Sequence, residues 1–199
     1  YNGECIALFR LAYLWDVVDE FIIVEARETH AGEKKRTLFL ETNAAALKPF
    51  ESKITPLIVE QFPEPAEDAL AKIAARAAVA DPRVWFKESY QRSYPGAYLR
   101  DLRMDSPWLL FCCDADEIPS RETVSALRGH YDALTEPHHL EMALFYYSSE
   151  WIKRNCWYNA YVVNDQGLQT ESLDEMRVHK QGKKVVSSAG WHLSYFMTE

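Results

Sequence analysis

The sequence predicts an α/β fold with a mostly parallel sheet flanked by helices and a more β-rich C-terminal third. Over the first two thirds of the chain, helical segments alternate with short, continuously apolar runs, which are typical of strands buried on both faces. This alternation indicates crossover helices between parallel strands. The last third contains several short β-prone runs with little helix between them.

Apolar spacing, capping residues and composition predict the helices. In the first segment, Ile6, Phe9 and Tyr13 recur at steps of three and four residues. An alanine-rich segment opens with Glu67 and Asp68, which favour the first turn of a helix, and is closed by an Asp-Pro pair. The predicted helical segments are 5–18, 38–50, 66–80, 84–102 with a break at Pro95-Gly96, 120–130 with Ser120 as cap, and a turn or two over 172–178.

Short runs of β-branched, aromatic and other apolar residues predict the strands. Pro56 interrupts the second run and favours an edge position or a strand entry. The run over 108–113 is the most strand-like and leads directly into an acidic stretch. The predicted strands are 21–24, 54–59, 108–113, 140–147, 160–163, 185–188 and 191–196.

Composition limits the function classes. The 199 residues are 48% hydrophobic and 26% charged, which predicts one ordinary globular domain. A formal charge of −8 argues against nucleic-acid binding, which needs a basic patch. No apolar run approaches the roughly 20 residues that span a bilayer. The four cysteines lack disulfide or zinc spacing, and the start lacks a signal-like basic region, so we expect a trimmed chain.

Three carboxylates follow the strand over 108–113, at Asp114, Asp116 and Glu117. Acids this close repel one another and need a cation or strong donors to stay ionised. Mn²⁺ or Mg²⁺ is the simplest solution, and such an ion commonly binds substrate phosphates. The alternative is an acidic loop that caps the following helix. Glycine-rich phosphate loops of the dinucleotide-binding and P-loop types are missing.

Several blocks of the sequence resemble glycosyltransferase family 17, the family of the β-1,4-mannosyl-glycoprotein 4-β-N-acetylglucosaminyltransferase. Asp114-Ala115-Asp116-Glu117-Ile118-Pro119 and Gly190-Trp191-His192-Leu193-Ser194-Tyr195-Phe196 are the most distinctive. The remaining blocks are Tyr1 to Glu4, Phe21 to Ala26, Thr29 to Gly32, Lys53-Ile54, and Glu88 with Gln91-Arg92. The resemblance covers nearly the whole chain.

The resemblance implies a GT-A-like fold, a nucleotide-sugar donor such as UDP-GlcNAc, inverting transfer and a metal-dependent DxD motif. It implies a nucleotide-sugar half over 1–119, an acceptor half over 120–199, and a glycan or other hydroxyl acceptor. Enzymes of the GT-A type often complete the metal shell with a C-terminal histidine, which suggests His192. The alternative is a histidine whose ring is hydrogen-bonded in a half-buried strand. The expected location is the cytoplasm for a bacterial or viral chain and the Golgi lumen for a trimmed eukaryotic one.

Residues outside the acidic stretch are candidates for binding the donor. Glu25 ends a predicted strand and could accept hydrogen bonds from uridine or ribose, although a solvated loop carboxylate is equally expected. Arg92 could neutralise the diphosphate, but with Glu88 it also forms an ordinary i,i+4 helix pair. Lys53 and Arg177 are weaker basic candidates, and Asp114 is a further donor-binding candidate beside its metal role.

Aromatic and acidic residues of the last third suggest the acceptor side. Sugar rings stack on aromatic planes, so a cluster of aromatics suits a glycan groove, with core packing as the alternative for about half of them. Its members are Tyr146, Tyr147, Trp151, Trp157, Tyr158 and Tyr161. Inverting transfer needs a general base, usually a carboxylate. The candidates are Glu150, Asp165, Glu171, Asp174 and Glu175, among which the sequence does not choose.

Two other functions fit the same residues. A non-catalytic carbohydrate-binding module would keep the aromatic groove and ignore metal. A metal-dependent phosphohydrolase or nucleotidyltransferase would use the acidic stretch on phosphate oxygens in the same way.

Overall fold

The computed structural model describes residues 4–76, 81–102, 107–169, 172–178, 182 and 184–196. The helices in these ranges are α1 (Glu4–Leu14), α2 (Phe39–Thr42), α3 (Ala44–Leu47), α4 (Glu67–Arg76), α5 (Pro82–Ser93), α6 (Gly96–Asp101), α7 (Arg121–Leu127) and α8 (Leu173–Val178). The strands are β1 (Phe21–Ala26), β2 (Ile54–Val59), β3 (Leu109–Cys112), β4 (Glu117–Pro119), β5 (His138–Tyr146), β6 (Tyr161–Asn164) and β7 (Lys184–Ser194).

Most described elements lie where the sequence predicts them, and the differences are local. The predicted helix over 38–50 is divided into α2, α3 and a 3₁₀ segment at Lys48–Lys53. The predicted strands over 185–188 and 191–196 form the single strand β7. The end of the acidic stretch forms a short strand, β4, which the sequence does not predict. Residues 77–80 of the predicted helix 66–80 lie outside the described residues.

The chain packs as two compact units, Tyr1–Asp19 with Arg100–Glu199 as the first and Glu20–Leu99 as the second. In the second unit, β1 and β2 pair in parallel from Phe21↔Ile54 to Ala26↔Val59. Ala26, Val59 and Phe62 form its buried cluster, with Val24 and Tyr90 packed against them. The functional halves 1–119 and 120–199 stay a prediction, since these units are defined by packing alone.

The first unit contains a five-stranded sheet in the order β3-β6-β5-β7-β4. The pairs β3–β6, β5–β6 and β4–β7 are antiparallel, and β5–β7 is parallel. The prediction of a mostly parallel sheet is therefore not confirmed for the described residues. The strands of the last third follow one another with little helix between them, and antiparallel neighbours need no long crossover.

The pairing of β4 with β7 places the two distinctive sequence blocks side by side. Glu117 lies opposite His192, and Pro119 lies opposite Gly190. Gly190 has φ +155°, and a Cβ added there would lie 2.1 Å from the backbone oxygen of Ile118. This close approach requires glycine, because backbone atoms cannot move aside as a flexible side chain can.

Replacing Gly190 with alanine is expected to lower the free energy of unfolding by about 3 kcal/mol, since the added methyl group forces β4 away from β7. Gly129→Ala is the matched control, because a Cβ at that exposed position meets nothing within 4 Å. Its effect should stay within about 0.5 kcal/mol. Urea denaturation of both variants measures the difference, and equal midpoints would contradict the close approach.

Candidate active site

The acidic stretch forms a tight turn between β3 and β4. The backbone N–H of Glu117 donates to the carbonyl oxygen of Asp114 at 3.0 Å, and the N–H of Leu193 on β7 donates to the carbonyl of Asp116 at 2.9 Å. Arg10 of α1 donates to the Asp114 carbonyl at 2.7 Å. The turn directly follows β3, so the carboxylates lie at the carboxyl end of that strand.

Glu117 is fully buried and forms a bidentate ion pair with Arg177 of α8. The Arg177 nitrogens lie 2.7 and 2.8 Å from its two carboxylate oxygens, and the Asp114 N–H donates to one of them at 2.7 Å. The indole N–H of Trp157 donates to the other oxygen. Burial alone raises the pKa of Glu117, but the guanidinium and these N–H donors outweigh it and hold that pKa below its usual range.

The sequence suggests Glu117 as a metal ligand, but its environment in the structure is that of a buried ion-pair partner. Its oxygens already accept hydrogen bonds from Arg177, Asp114 and Trp157, and its side chain points into the protein. Asp114 differs, because its side chain is 42% exposed while one carboxylate oxygen lies 2.5 Å from Arg177 Nη2. Arg177 thus forms ion pairs with two of the three carboxylates of the turn.

Asp116 meets His192, the histidine that the sequence suggests as a metal ligand. His192 Nε2 lies 3.3 Å from Asp116 Oδ2, and the side chains are only 9% and 17% exposed respectively. The Trp157 ring packs on the imidazole with a centroid distance of 4.4 Å. His192 Nδ1 is buried without a hydrogen-bond partner among the described residues. Asp116 and Trp157 therefore determine how this imidazole is oriented.

The geometry of Asp116 and His192 fits a divalent ion. Two ligand atoms 3.3 Å apart can both bond one ion at about 2.1 to 2.3 Å. In the described part of the chain, no group of three or more His, Cys, Asp or Glu side chains is arranged to hold a metal. The pair thus fits an ion of the kind that completes its shell with substrate phosphates and water.

Predicted donor-binding residues of the second unit mostly engage neighbouring groups. The two Glu25 oxygens accept the backbone N–H groups of Phe39 and Leu40 at 2.8 and 3.0 Å, so this carboxylate anchors the start of α2. Glu88 and Arg92 form the expected i,i+4 ion pair at 2.8 Å on α5. Lys53 ends the 3₁₀ segment after α3 and is half-buried.

The candidate bases differ in how available their carboxylates are. Asp165 accepts a hydrogen bond from the Tyr131 hydroxyl, and Glu175 accepts one from the Ser172 N–H at 3.0 Å. Asp174 is only 2% exposed. Glu150 is exposed in the loop after β5, and Glu171 lies outside the described residues.

The aromatic cluster divides between core and surface. Tyr161 is fully buried and donates to the Leu173 carbonyl, while Trp157 contacts Glu117 and His192. Tyr147 and Trp151 are 69% and 71% exposed. Tyr146 lies beside Tyr147 at a centroid distance of 6.0 Å, and Tyr158 donates to Glu141.

The model of glycosyltransferase family 17 matches residues 4–199. The chain belongs to glycosyltransferase family 17. This match confirms the resemblance and the predicted enzyme class, an N-acetylglucosaminyltransferase-like glycosyltransferase. No curated protein and no solved structure matches the chain significantly. Within the described residues of this family 17 enzyme, no helix is both long and apolar enough to cross a bilayer.

Sequence reasoning missed two contacts of the site. Arg10 holds the turn through a backbone carbonyl, and nothing in its local sequence distinguishes it from other helix-surface arginines. Trp157, a member of the cluster for which sugar stacking and core packing were both expected, packs on His192 and donates to Glu117. The pairing of Arg177 with Glu117 could have been suggested by the positive charge of Arg177, because a buried carboxylate requires a buried cation.

Proposed function

We propose that this family 17 enzyme is an inverting, metal-dependent transferase with a GT-A-like arrangement. It moves N-acetylglucosamine from UDP-GlcNAc to a hydroxyl group of a glycan or another acceptor. The observation that carries the proposal is the largely buried pair of Asp116 Oδ2 and His192 Nε2, 3.3 Å apart in a chain of glycosyltransferase family 17.

Asp116 and His192 would hold Mn²⁺ or Mg²⁺ in this enzyme. When bound, the ion supplies positive charge that stabilises the departing diphosphate. Arg177 holds one carboxylate oxygen of Asp114. Because the Asp114 side chain is 42% exposed, its carboxylate stays accessible to a ribose hydroxyl. The Glu117–Arg177 pair is almost completely shielded from solvent and holds the turn in place.

Turnover of a nucleotide-sugar panel with Mn²⁺ tests this proposal. We expect UDP-GlcNAc to be hydrolysed slowly without acceptor and transferred in its presence, with release of UDP and a glycosidic product of inverted configuration. Release of UMP or inorganic phosphate would instead support nucleotidyl or phosphoryl chemistry. Glycan binding that ignores EDTA, with no turnover of any donor, would support a binding module and overturn the transferase.

Among the candidate bases that the structure describes, we take Glu150 as the base. It is exposed, and no described residue forms an ion pair with it, whereas Asp165 and Glu175 accept hydrogen bonds and Asp174 is buried. An exposed carboxylate can reach the proton of an acceptor hydroxyl.

Glu150→Gln is expected to lower kcat for transfer by about 10² to 10⁴-fold while UDP binding stays unchanged, because glutamine cannot accept the proton. Glu122→Gln, an exposed position on α7, is the matched control and should keep full activity. Steady-state kinetics with saturating donor measure both variants. Wild-type kcat in Glu150→Gln would assign the base to another carboxylate.

A further inference from the structure

β5 and β7 leave the sheet of the first unit in the same unusual way. These parallel strands are paired up to Tyr146 and Ser194, and the next residue of each, Tyr147 and Tyr195, has positive φ, at 61° and 57°. A left-handed backbone is unfavourable for a bulky side chain and is found mainly where the surrounding structure uses it. The Tyr147 N–H donates to the Ser194 carbonyl at 3.0 Å and joins the two turns.

The two turns bring three tyrosine rings together on the surface. The Tyr195 ring stacks on Tyr147 at 5.7 Å and 27°, and on Tyr146 at 5.9 Å and 28°. Tyr147 and Tyr195 are 69% and 51% exposed. Contiguous exposed aromatic surface on a monomer commonly marks a binding site.

We infer that Tyr146, Tyr147 and Tyr195, here called the tyrosine platform, bind a pyranose ring of a neutral oligosaccharide acceptor. The exposed rings of Tyr147 and Tyr195 offer aromatic faces that suit the apolar C–H face of a sugar, and the phenol hydroxyls suit its hydroxyl groups. The Tyr146 ring stacks on Tyr195, and Lys153 Nζ lies 4.9 Å from its centroid. This inference rests on the proposed function for the identity of the acceptor.

The position of the platform supports this acceptor role. Tyr195 directly follows β7 and lies three residues after His192, a distance of at most about 10 Å along an extended chain. A short oligosaccharide can span this distance, with one ring on the platform and its reacting hydroxyl near Asp116 and His192. Trp151, 71% exposed in the loop after β5, is joined to the platform through its backbone, since its carbonyl accepts the Tyr146 N–H at 2.9 Å.

The test measures binding of chitotriose and mannotriose by calorimetry and by saturation-transfer NMR, with EDTA present and no nucleotide. We expect binding by the wild type, weakening of about tenfold in Tyr147→Ala and Tyr195→Ala, and retention in Tyr195→Phe, which keeps the ring. Trp85→Ala, at an exposed aromatic of α5 in the other unit, is the control and should bind as the wild type does.

Tyr195→Gly separates binding from folding. Glycine accepts positive φ without strain, so this variant should melt no lower than Tyr195→Ala and still lose the sugar. Equal sugar affinity in Tyr195→Gly and wild type, or no binding of either trisaccharide by the wild type, overturns the inference. A wild-type dimer that the platform variants convert to monomer in sedimentation also overturns it, because a second copy would then cover the surface.

Failure of the platform and failure of the proposed function give different results. Trisaccharide binding without turnover of any nucleotide sugar refutes the transferase and keeps the platform. Turnover with an acceptor KM that is unchanged in Tyr195→Gly refutes the platform and keeps the transferase.

Discussion

Replacing Arg177 with methionine is expected to lower the free energy of unfolding by about 3 to 5 kcal/mol, because it leaves the Glu117 carboxylate buried without its cation. Methionine keeps much of the length of the side chain, so the effect reports mainly the lost charge. Arg128→Met is the matched control, since the Arg128–Asp19 pair at 3.0 Å is 53% and 82% exposed and should contribute at most about 1 kcal/mol. Urea denaturation at pH 7 measures both variants.

The pH dependence of this loss tests its cause. In the wild type, the pKa of Glu117 lies below its usual range, so its stabilising contribution is complete above about pH 4.3, the ordinary value for glutamate, and is lost as the pH falls through the lower folded-state value.

Without Arg177, burial should raise the pKa of Glu117 above that of the unfolded chain. The folded variant then binds the extra proton, and its stability falls as the pH rises through this range. The deficit relative to wild type should therefore shrink on acidification from pH 7 to pH 4. A deficit that is the same at every pH would show that packing, and not the Glu117 charge, causes it.

Asp116→Asn is expected to reduce transfer activity by at least about 100-fold and to weaken Mn²⁺ binding, because it removes one of the two proposed ligands. In the wild type, the Mn²⁺–UDP complex at 100 times its Kd should stabilise the fold by about 2.7 kcal/mol. This stabilisation should be absent in Asp116→Asn, whose melting temperature without ligand should match the wild type. Thermal melting with and without Mn²⁺ and UDP measures it.

His192→Gln should behave like Asp116→Asn, since the imidazole is the second proposed ligand. His138→Gln on β5 is the control, because that ring contacts only the Glu136 carbonyl in the described hydrogen-bond network. A large loss of stability in His192→Gln with unchanged Mn²⁺ affinity would make His192 a packing residue against Trp157. Full activity in Asp116→Asn would move the metal to other residues.

Local patterns predicted the secondary structure well because the physical causes are local. The run over 54–59 coincides with β2, and the Pro95-Gly96 pair marks the break between α5 and α6, with Gly96 as the first residue of α6. Ser120 caps α7 by accepting the N–H of Thr123, as its position before Glu122 and Val124 predicts. The acidic stretch after β3 was likewise visible, since adjacent carboxylates at a strand end are unusual in any context.

Only the tertiary structure showed which side chains contact one another. Glu25 was a candidate for binding uridine or ribose, with a solvated loop carboxylate as the alternative, and its oxygens accept N–H groups of α2, fourteen and fifteen residues away in sequence. Arg177 was a weak candidate for the diphosphate and instead pairs with Glu117 and Asp114, sixty and sixty-three residues away. Spacing along a chain carries no information about contacts of this range.

The sequence by itself determined that this protein is an α/β enzyme of glycosyltransferase family 17, and which acidic turn and histidine deserve testing. These conclusions depend on residue types, on hydrophobic period and on local order, all of which a linear chain displays. Only the tertiary structure decided that the sheet is mixed, that Glu117 is the buried partner of Arg177, and that Asp116 meets His192. Each of these depends on strand register, where a shift of one residue would turn His192 to the opposite face of β7.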